Sequence, residues 1–420
     1  MKQSTTNILI LAYASEPKSG SEYGVGWNIP ILLAQKYTQY NIYVLTRSRC
    51  KEKILETLLQ IKIPNLHFLF YDLPQWMFYK NEMKSNWGEQ INYLLWQLMV
   101  KSYIKKLHKK IHFDIIHHLT FNQYRTPSPG FFLNIPFIMG PIGGAETINP
   151  SFYQDLQPHT LKKELIRKTG KDLKIFGWWC KRKNNKKFFL FSTKENIERL
   201  SPYCNKNQSI LLPAIAFDPN DFNTIQLNIQ NNTRFLLVYA GKALDWKGIY
   251  IFLKAARKAY IENNINNFTI KLVGIRYKEE QNLVMQWVKE LKLDNNVELI
   301  PFIQRSDLLK LLTECNLSVY PAFRDSGSMS VLEASALGCP TICFNAGGQD
   351  AFPDSVLLKV DVKNSYQDNL NSFAEKLKWA YDNIEQTADI GKRAKKYVYQ
   401  ELTWEKKVEC INSIYQQALK

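Results

Sequence analysis

The stretch PAFRDSGSMSVLEASALGCPTICF, residues 321–344, decides how the rest of the chain is read. An apolar, strand-like run from Leu317 to Tyr320 precedes it. The polar loop Arg324-Asp325-Ser326-Gly327-Ser328 follows, and then a helical pattern that ends at Gly338, with Pro340 two residues beyond. Glycine followed closely by proline is the usual helix stop. A second apolar run, Thr341 to Phe344, resumes strand character. Strand, small-residue loop, helix and strand make a βαβ-type unit. The free N–H groups at such a helix start, at the positive end of its dipole, favour an anion. Asp325 and Glu333 place a carboxylate on each side of that spot.

Outward from this unit the same rhythm repeats. Strand patterns at Phe235–Tyr239, Thr269–Val273 and Val297–Ile300 alternate with helical ones at Ile249–Ile261, Glu279–Leu291 and Ser306–Thr313. In the first half, strands are expected at Asn7–Tyr13, Ile42–Thr46, Leu66–Phe70, Asp114–Leu119, Ile135–Met139 and Phe188–Phe191. Helical patterns there cover Gly24–Lys36, Lys51–Ile61 and Asn86–Ile111, and two more helices close the chain near Phe373–Ile384 and Trp404–Leu419. Such alternation predicts parallel sheets covered by helices on both faces. A chain of 420 residues exceeds one ordinary core. The pattern divides it into a first domain over 1–212, a linker over 213–232 with its start marked by Pro213 and Pro219, a second domain over 233–400, and a final segment over 401–420. Two α/β domains imply a cleft lined by the loops that follow the strands.

Composition narrows the class. Hydrophobic content of 45% and aromatic content of 13% fit a folded globular protein. No apolar run reaches the ~18–20 residues that span a bilayer. The apolar run Ile8–Ala14 reads as a first strand rather than a signal segment, because it ends in a Glu-Pro-Lys-Ser-Gly turn. Seven scattered cysteines with no CxxC pair point to a reducing compartment, and to neither a zinc site nor a disulfide framework. The net charge of +17 is uneven: residues 1–212 carry +16 and residues 213–420 only +1. The basic half is expected to meet something anionic. Its lysines cluster at 101–110 and 162–187, the second run interleaved with Ile175, Phe176, Trp178 and Trp179. Aromatics at headgroup level with lysines against anionic lipid suit a peripheral membrane contact. No recognised nucleic-acid motif is present, so nucleic acid is not the expected partner.

Four constellations carry chemistry. Gly241-Lys242-Ala243-Leu244-Asp245-Trp246-Lys247-Gly248 lies between a strand and a helix, where two lysines near a helix start repel its dipole unless an anion sits between. Asp325 and Glu333 flank Gly327, Ser328, Met329 and Ser330, an arrangement suited to a ligand with both phosphates and hydroxyls. Glu333 equally fits a Ser-x-x-Glu capping box with Ser330, and Asp325 a turn. His117 and His118 end a strand and point to opposite faces, so at most one reaches the cleft. The loops GSEYG, with Gly20, Ser21, Glu22 and Gly24, and GPIGGAE, with Gly143, Gly144 and Glu146, are turn-rich and suit acceptor binding.

Together these motifs resemble glycosyltransferase family 4, retaining enzymes of the GT-B fold, and the branch found in bacterial polysaccharide gene clusters. GKALDWKG is similar to the family's Gly-Arg-Leu-x-x-x-Lys-Gly, and Asp325-x7-Glu333 with EASALGCPTI to its Glu-x7-Glu pattern. GSEYGVGW, FDIIHHLTF and GPIGGAE carry the likeness into the first half. The resemblance implies two Rossmann-like domains facing each other across a cleft, and a final helix that crosses back to the first domain. It implies sugar transfer with retention from a nucleotide-diphosphate donor, without metal or cofactor. Lys242 and Lys247, beside Gly241, would hold the diphosphate, Glu333 the ribose, and Asp325 with the amides of Gly327 to Ser330 the sugar. A histidine at 117 or 118 would contact the donor sugar. The acceptor would be a glycan or lipid-linked glycan at the cytoplasmic face of the membrane. Two positions depart from the family: Lys242 lacks the arginine fork, and Asp325 is one methylene shorter than glutamate. Two other readings keep the scaffold: a degenerate membrane- or nucleic-acid-binding protein, and a sugar-nucleotide epimerase.

Overall fold

The computed structural model describes residues 5–77, 86–182, 186–204, 206–223, 225 and 234–420. The chain forms two compact units. The first holds residues 1–145, 170–214 and 404–420, and the second holds 146–169 and 215–403.

Unit 1 is built on seven parallel strands: β1 (Thr6–Leu11), β2 (Tyr40–Thr46), β3 (Leu66–Phe70), β4 (Ile115–His118), β5 (Phe137–Ile142), β6 (Lys187–Phe191) and β7 (Ser209–Leu211). They lie in the order β3-β2-β1-β4-β5-β6-β7. Successive side chains of a strand leave opposite faces, so an apolar run feeds two cores. Ile8 and Ile10 pack with Ile29, Leu33, Val408, Ile411 and Tyr415. Leu9 and Leu11 pack on the other side with Tyr93, Trp96, Val100 and Ile104. The helix Trp404–Leu419 thus belongs to the first core.

Unit 2 repeats the plan with β8 (Phe235–Ala240), β9 (Phe268–Val273), β10 (Val297–Ile300), β11 (Leu317–Tyr320), β12 (Thr341–Phe344) and β13 (Leu358–Val360). Their order is β10-β9-β8-β11-β12-β13. Leu237, Ile270, Leu317 and Ile342 meet Phe252, Ala255, Phe373 and Leu377 on one side. Leu236, Val238 and Cys343 meet Leu309, Val331, Leu332, Ala394 and Val398 on the other. In both sheets the order reverses beside the first strand of the unit, between β1 and β4 and between β8 and β11. Ligands of open parallel sheets bind outside the strand ends at such a switch point.

Three expectations change. Residues 146–169, expected in the first domain, pack in unit 2, because Ile148, Phe152 and Leu156 are buried in its core. The basic run 162–187 is therefore divided: helix Pro158–Lys168 belongs to unit 2 and helix Lys171–Cys180 to unit 1, with 183–185 outside the described residues. The expected linker is in part structural. Ile215, Phe217 and Phe222 are buried in unit 2, and Phe217 pairs with Thr403 in a strand-like bridge; 224 and 226–232 lie outside the described residues. Helix Ile384–Glu401 was not expected from the sequence.

Candidate active site

The switch point of unit 2 is formed by the loops after β8 and β11. Gly248 joins them. Its φ is +70°, and a Cβ there would lie 2.1 Å from the Pro321 carbonyl oxygen. Only glycine permits that approach. The Phe323 amide donates to the Trp246 carbonyl at 2.9 Å, a second tie between the loops. Gly241 continues the sheet, donating to Val273 O at 2.9 Å, and the Tyr239 hydroxyl donates to Lys242 O at 2.8 Å.

Held this way, the Lys247 ammonium donates to the Tyr320 hydroxyl at 2.7 Å and to Asp325 Oδ2 at 2.5 Å. The Tyr320 hydroxyl also donates to Asp325 Oδ2. Burial, followed by the Asp325 charge, raises the Tyr320 phenol well above its ordinary range, so it stays a donor. The Asp325 loop is closed by backbone contacts: Gly327 N donates to Asp325 Oδ1 at 3.3 Å and Gly348 N to Asp325 O at 2.7 Å. A Cβ on Gly347, at φ +61°, would lie 2.3 Å from the same carbonyl. Lys247, expected on the diphosphate, and Asp325, expected on the sugar, are therefore in direct contact, and both remain partly exposed. Lys242 is exposed and makes no ion pair among the described residues.

The helix Met329–Leu337 starts two residues earlier than a capping box on Ser330 requires. Its N-cap is Ser328, without a side-chain cap bond, and Ser330 lies inside the first turn. Glu333 is thus free of capping. It accepts from Arg305 Nε at 2.9 Å, and Arg305 also lies 3.7 Å from Asp221. Arg305 and Asp221 escaped sequence reasoning, since nothing local ties positions 221, 305 and 333. Two more residues were missed at the ends of the neighbouring strands. The Arg276 guanidinium sits 4.8 Å from the centre of the Phe302 ring, and Tyr277 and Phe302 are exposed. Gln349, directly after Gly347-Gly348, is fully buried with no hydrogen-bond partner for its amide among the described residues.

In unit 1 neither His117 nor His118 is exposed to solvent. Both are fully buried. His117 Nε2 donates to Gly140 O at 3.0 Å, and its Nδ1 accepts from the Tyr415 hydroxyl at 2.8 Å. His118 Nε2 meets Thr120 O at 3.1 Å. Burial lowers His117 to about 4 and, with His117 nearby, His118 to about 3. They are neutral core residues, because the fourth strand is covered on both faces and the C-terminal helix reaches His117. His118 Nδ1 has no hydrogen-bond partner among the described residues.

The turn-rich loops each contact the loop after β4 at this unit's switch point. Glu22 Oε2 accepts the Phe121 N–H at 3.0 Å, tying the loop after β1 to that after β4. Gly20 precedes helix Ser21–Lys36, Ser21 has φ +53°, and a Cβ on Gly24 would lie 2.3 Å from Ser19 O. Gly143 bridges to Gln123. Gly20 and Gly144 have open space where a Cβ would point. Glu146, expected to bind acceptor, is instead fully buried, and its carbonyl accepts from Arg167 at 2.8 Å where the chain enters unit 2.

The basic-aromatic surface of unit 1 centres on Phe132. Lys101 lies 4.7 Å and Arg182 4.6 Å from that ring, and Trp179 packs against it at 5.5 Å. Ile175 and Trp178 beside it are exposed, as are Leu98 and Met99 on the long helix Asn86–Ile111. Among the described residues no helix is long and apolar enough to cross a membrane, and no group of three or more His, Cys, Asp or Glu side chains could hold a metal. Every cysteine is free.

Comparison with known proteins fits this geometry. Residues 221–397 match the family model of glycosyl transferases group 1, a span that includes Lys242, Lys247, Tyr320, Asp325, Glu333 and Arg305. No curated protein matches the sequence. Sucrose-phosphate synthase from Thermosynechococcus elongatus superposes with a TM-score of 0.66 at 16% identity, covering 98% of each chain. A glycosyltransferase from Rickettsia africae gives 0.62 at 14% over 99% of each chain. HepE from Anabaena, in complex with UDP, gives 0.63 at 15%, over 98% of this chain and 100% of its own. The fold is GT-B, two Rossmann-like α/β units.

Proposed function

We propose that this chain is a retaining glycosyltransferase that moves a hexose-type sugar from a nucleotide-diphosphate donor to a glycan or lipid-linked acceptor in polysaccharide synthesis. The observation that carries the reading is the Lys247–Tyr320–Asp325 cluster at a helix start, on the switch point of the unit that matches glycosyl transferases group 1. Lys247 is pre-positioned by two oxygens, and Lys242 is an exposed second cation. Such preorganised positive charge stabilises a departing diphosphate. Glu333, free of capping and held by Arg305, suits ribose hydroxyls. Asp325 and the amides of Gly327 to Ser330 suit the sugar. Phe302 and Arg276 offer a stacking surface for the base. In the reaction the acceptor hydroxyl oxygen bonds the anomeric carbon on the face the diphosphate leaves. The sugar–phosphate bond breaks, and the hydroxyl proton passes to the departing phosphate oxygen. No protein base or metal is needed, so the loss of the histidines from the site leaves the scheme intact.

Unit 1 binds the acceptor through Gly20 to Gly24 and Gly143-Gly144 in this reading. The surface around Phe132 rests on the anionic inner face of the cell membrane, with Trp178 and Ile175 at headgroup level. Calorimetry with UDP, GDP and ADP, with and without a chelator, tests the proposal. UDP comes first, because HepE has been solved with UDP and with UDP-glucose. Binding unaffected by chelator is expected; no binding of any of the three sinks the reading.

A further inference from the structure

Residues 146–169 leave unit 1 after β5 and return to it at Gly170, yet they are built into unit 2. They grip both loops of the candidate site. Phe152 stacks on Phe323 with ring centres 4.1 Å apart and planes within 10°. The Gln157 amide donates to Asp245 Oδ2 at 2.7 Å. Tyr366 donates to Asp155 at 2.8 Å, and Asn369 to Ser151 Oγ at 2.9 Å, which anchor the segment on helix Tyr366–Asp382. At its far end Glu164, 2% exposed, accepts from Arg324 and lies 3.2 Å from Arg167. Its second oxygen accepts the Ile148 N–H at 3.2 Å. Phe323 and Arg324 are the two residues before Asp325, and Asp245 is two residues before Lys247.

We propose that residues 146–169 are a strap that sets the donor loops, with Glu164 as a positioning residue that acts through Arg324 on Asp325. This rests on the donor-site reading above. A carboxylate buried between two guanidiniums holds both only while it is charged and in place. Removing that charge frees Arg324, and the loop backbone regains freedom that ligand binding must then remove. Glu164 touches no part of the Lys247 cluster, so its effect is on loop order rather than on contact with a ligand.

The test uses the full chain with Glu164→Gln, which keeps the side-chain volume, and Arg324→Gln, which changes a partly exposed partner. Hydrogen–deuterium exchange of peptides covering 320–328 is compared with that of β8 and β9. About tenfold faster exchange confined to 320–328 is expected in both variants, with the double variant no faster than either single one, since the two share one interaction. Nucleoside diphosphate binding should weaken about tenfold in parallel. Unchanged exchange at 320–328 overturns the proposal. So does exchange that rises throughout unit 2, which marks Glu164 as a general stabiliser. The exchange measurement needs no nucleotide, so failure of the wild type to bind any diphosphate overturns the transferase reading and leaves the strap to be judged separately.

Discussion

The two switch points share a topology and differ in chemistry. That of unit 2 gathers Lys247, Asp325, Glu333 and Arg305 around a helix start, with each carboxylate held by a cation. That of unit 1 holds two buried neutral histidines under loops in which Gly20 and Gly144 leave open space. A parallel sheet offers the same edge in both cases. What differs is the charge its loops deliver there, and on that charge rests the proposal that the anionic ligand binds unit 2.

The sharpest way to break the contrast is Lys247→Ala. Removing a charge-assisted donor that the cluster holds in place should weaken nucleoside diphosphate binding about a hundredfold, roughly 3 kcal/mol. Lys242→Ala should cost about tenfold, because that side chain is exposed and unbraced. Calorimetry reads both; equal losses at the two positions would remove the special role of the cluster.

Gly248→Ala attacks the geometry instead. A methyl at φ +70° facing the Pro321 carbonyl should lower the stability of unit 2 by about 2–4 kcal/mol, read by urea unfolding. Gly144→Ala has open space around it and should cost only about 1 kcal/mol, the price of its positive φ.

On the other side of the comparison, Trp178→Ala combined with Lys181→Ala should reduce binding of unit 1 to anionic vesicles about tenfold and leave nucleotide affinity unchanged. Flotation with neutral and anionic vesicles separates the aromatic from the electrostatic part. Equal binding to both vesicle types would remove anionic lipid from the reading, and binding to neither would remove the membrane.

A pH dependence probes the histidines of unit 1. His117 and His118 have native pKa values of about 4 and 3, below the unfolded value near 6.5. Between those limits the unfolded chain binds more protons, so stability rises with pH. Unit 1 should therefore lose stability as pH falls from 6.5 toward 4. Thermal melts of His118→Gln should show a shallower loss over that window. An unchanged slope would mean that the histidine is charged in the native unit.

Most of the element order could be read from the chain. The strands Leu66–Phe70 and Val297–Ile300 and the helix Asn86–Ile111 lie where the pattern puts them. Parallel strands covered on both faces are short unbroken apolar runs, and their loops must carry the polar residues. The glycines of the 241–248 loop and the carboxylates of 325 and 333 stand out for the same local reason. Boundaries were harder where the pattern is weak: β13 has three residues, and helix Ile384–Glu401 is mostly polar.

What the sequence determined by itself is the αβ rhythm, the uneven charge and the lysines and carboxylates of the loops at 241–248 and 324–333, because each depends on neighbours a few positions away. The tertiary structure alone decided that Glu333 pairs with Arg305 rather than capping its helix, that both histidines are sealed in a core, and that residues 146–169 serve the second unit. Each of those outcomes turns on partners far off in the chain, 160 positions in the case of Arg324 and Glu164. Local periodicity holds no record of such pairs; burial and charge in the folded state select them.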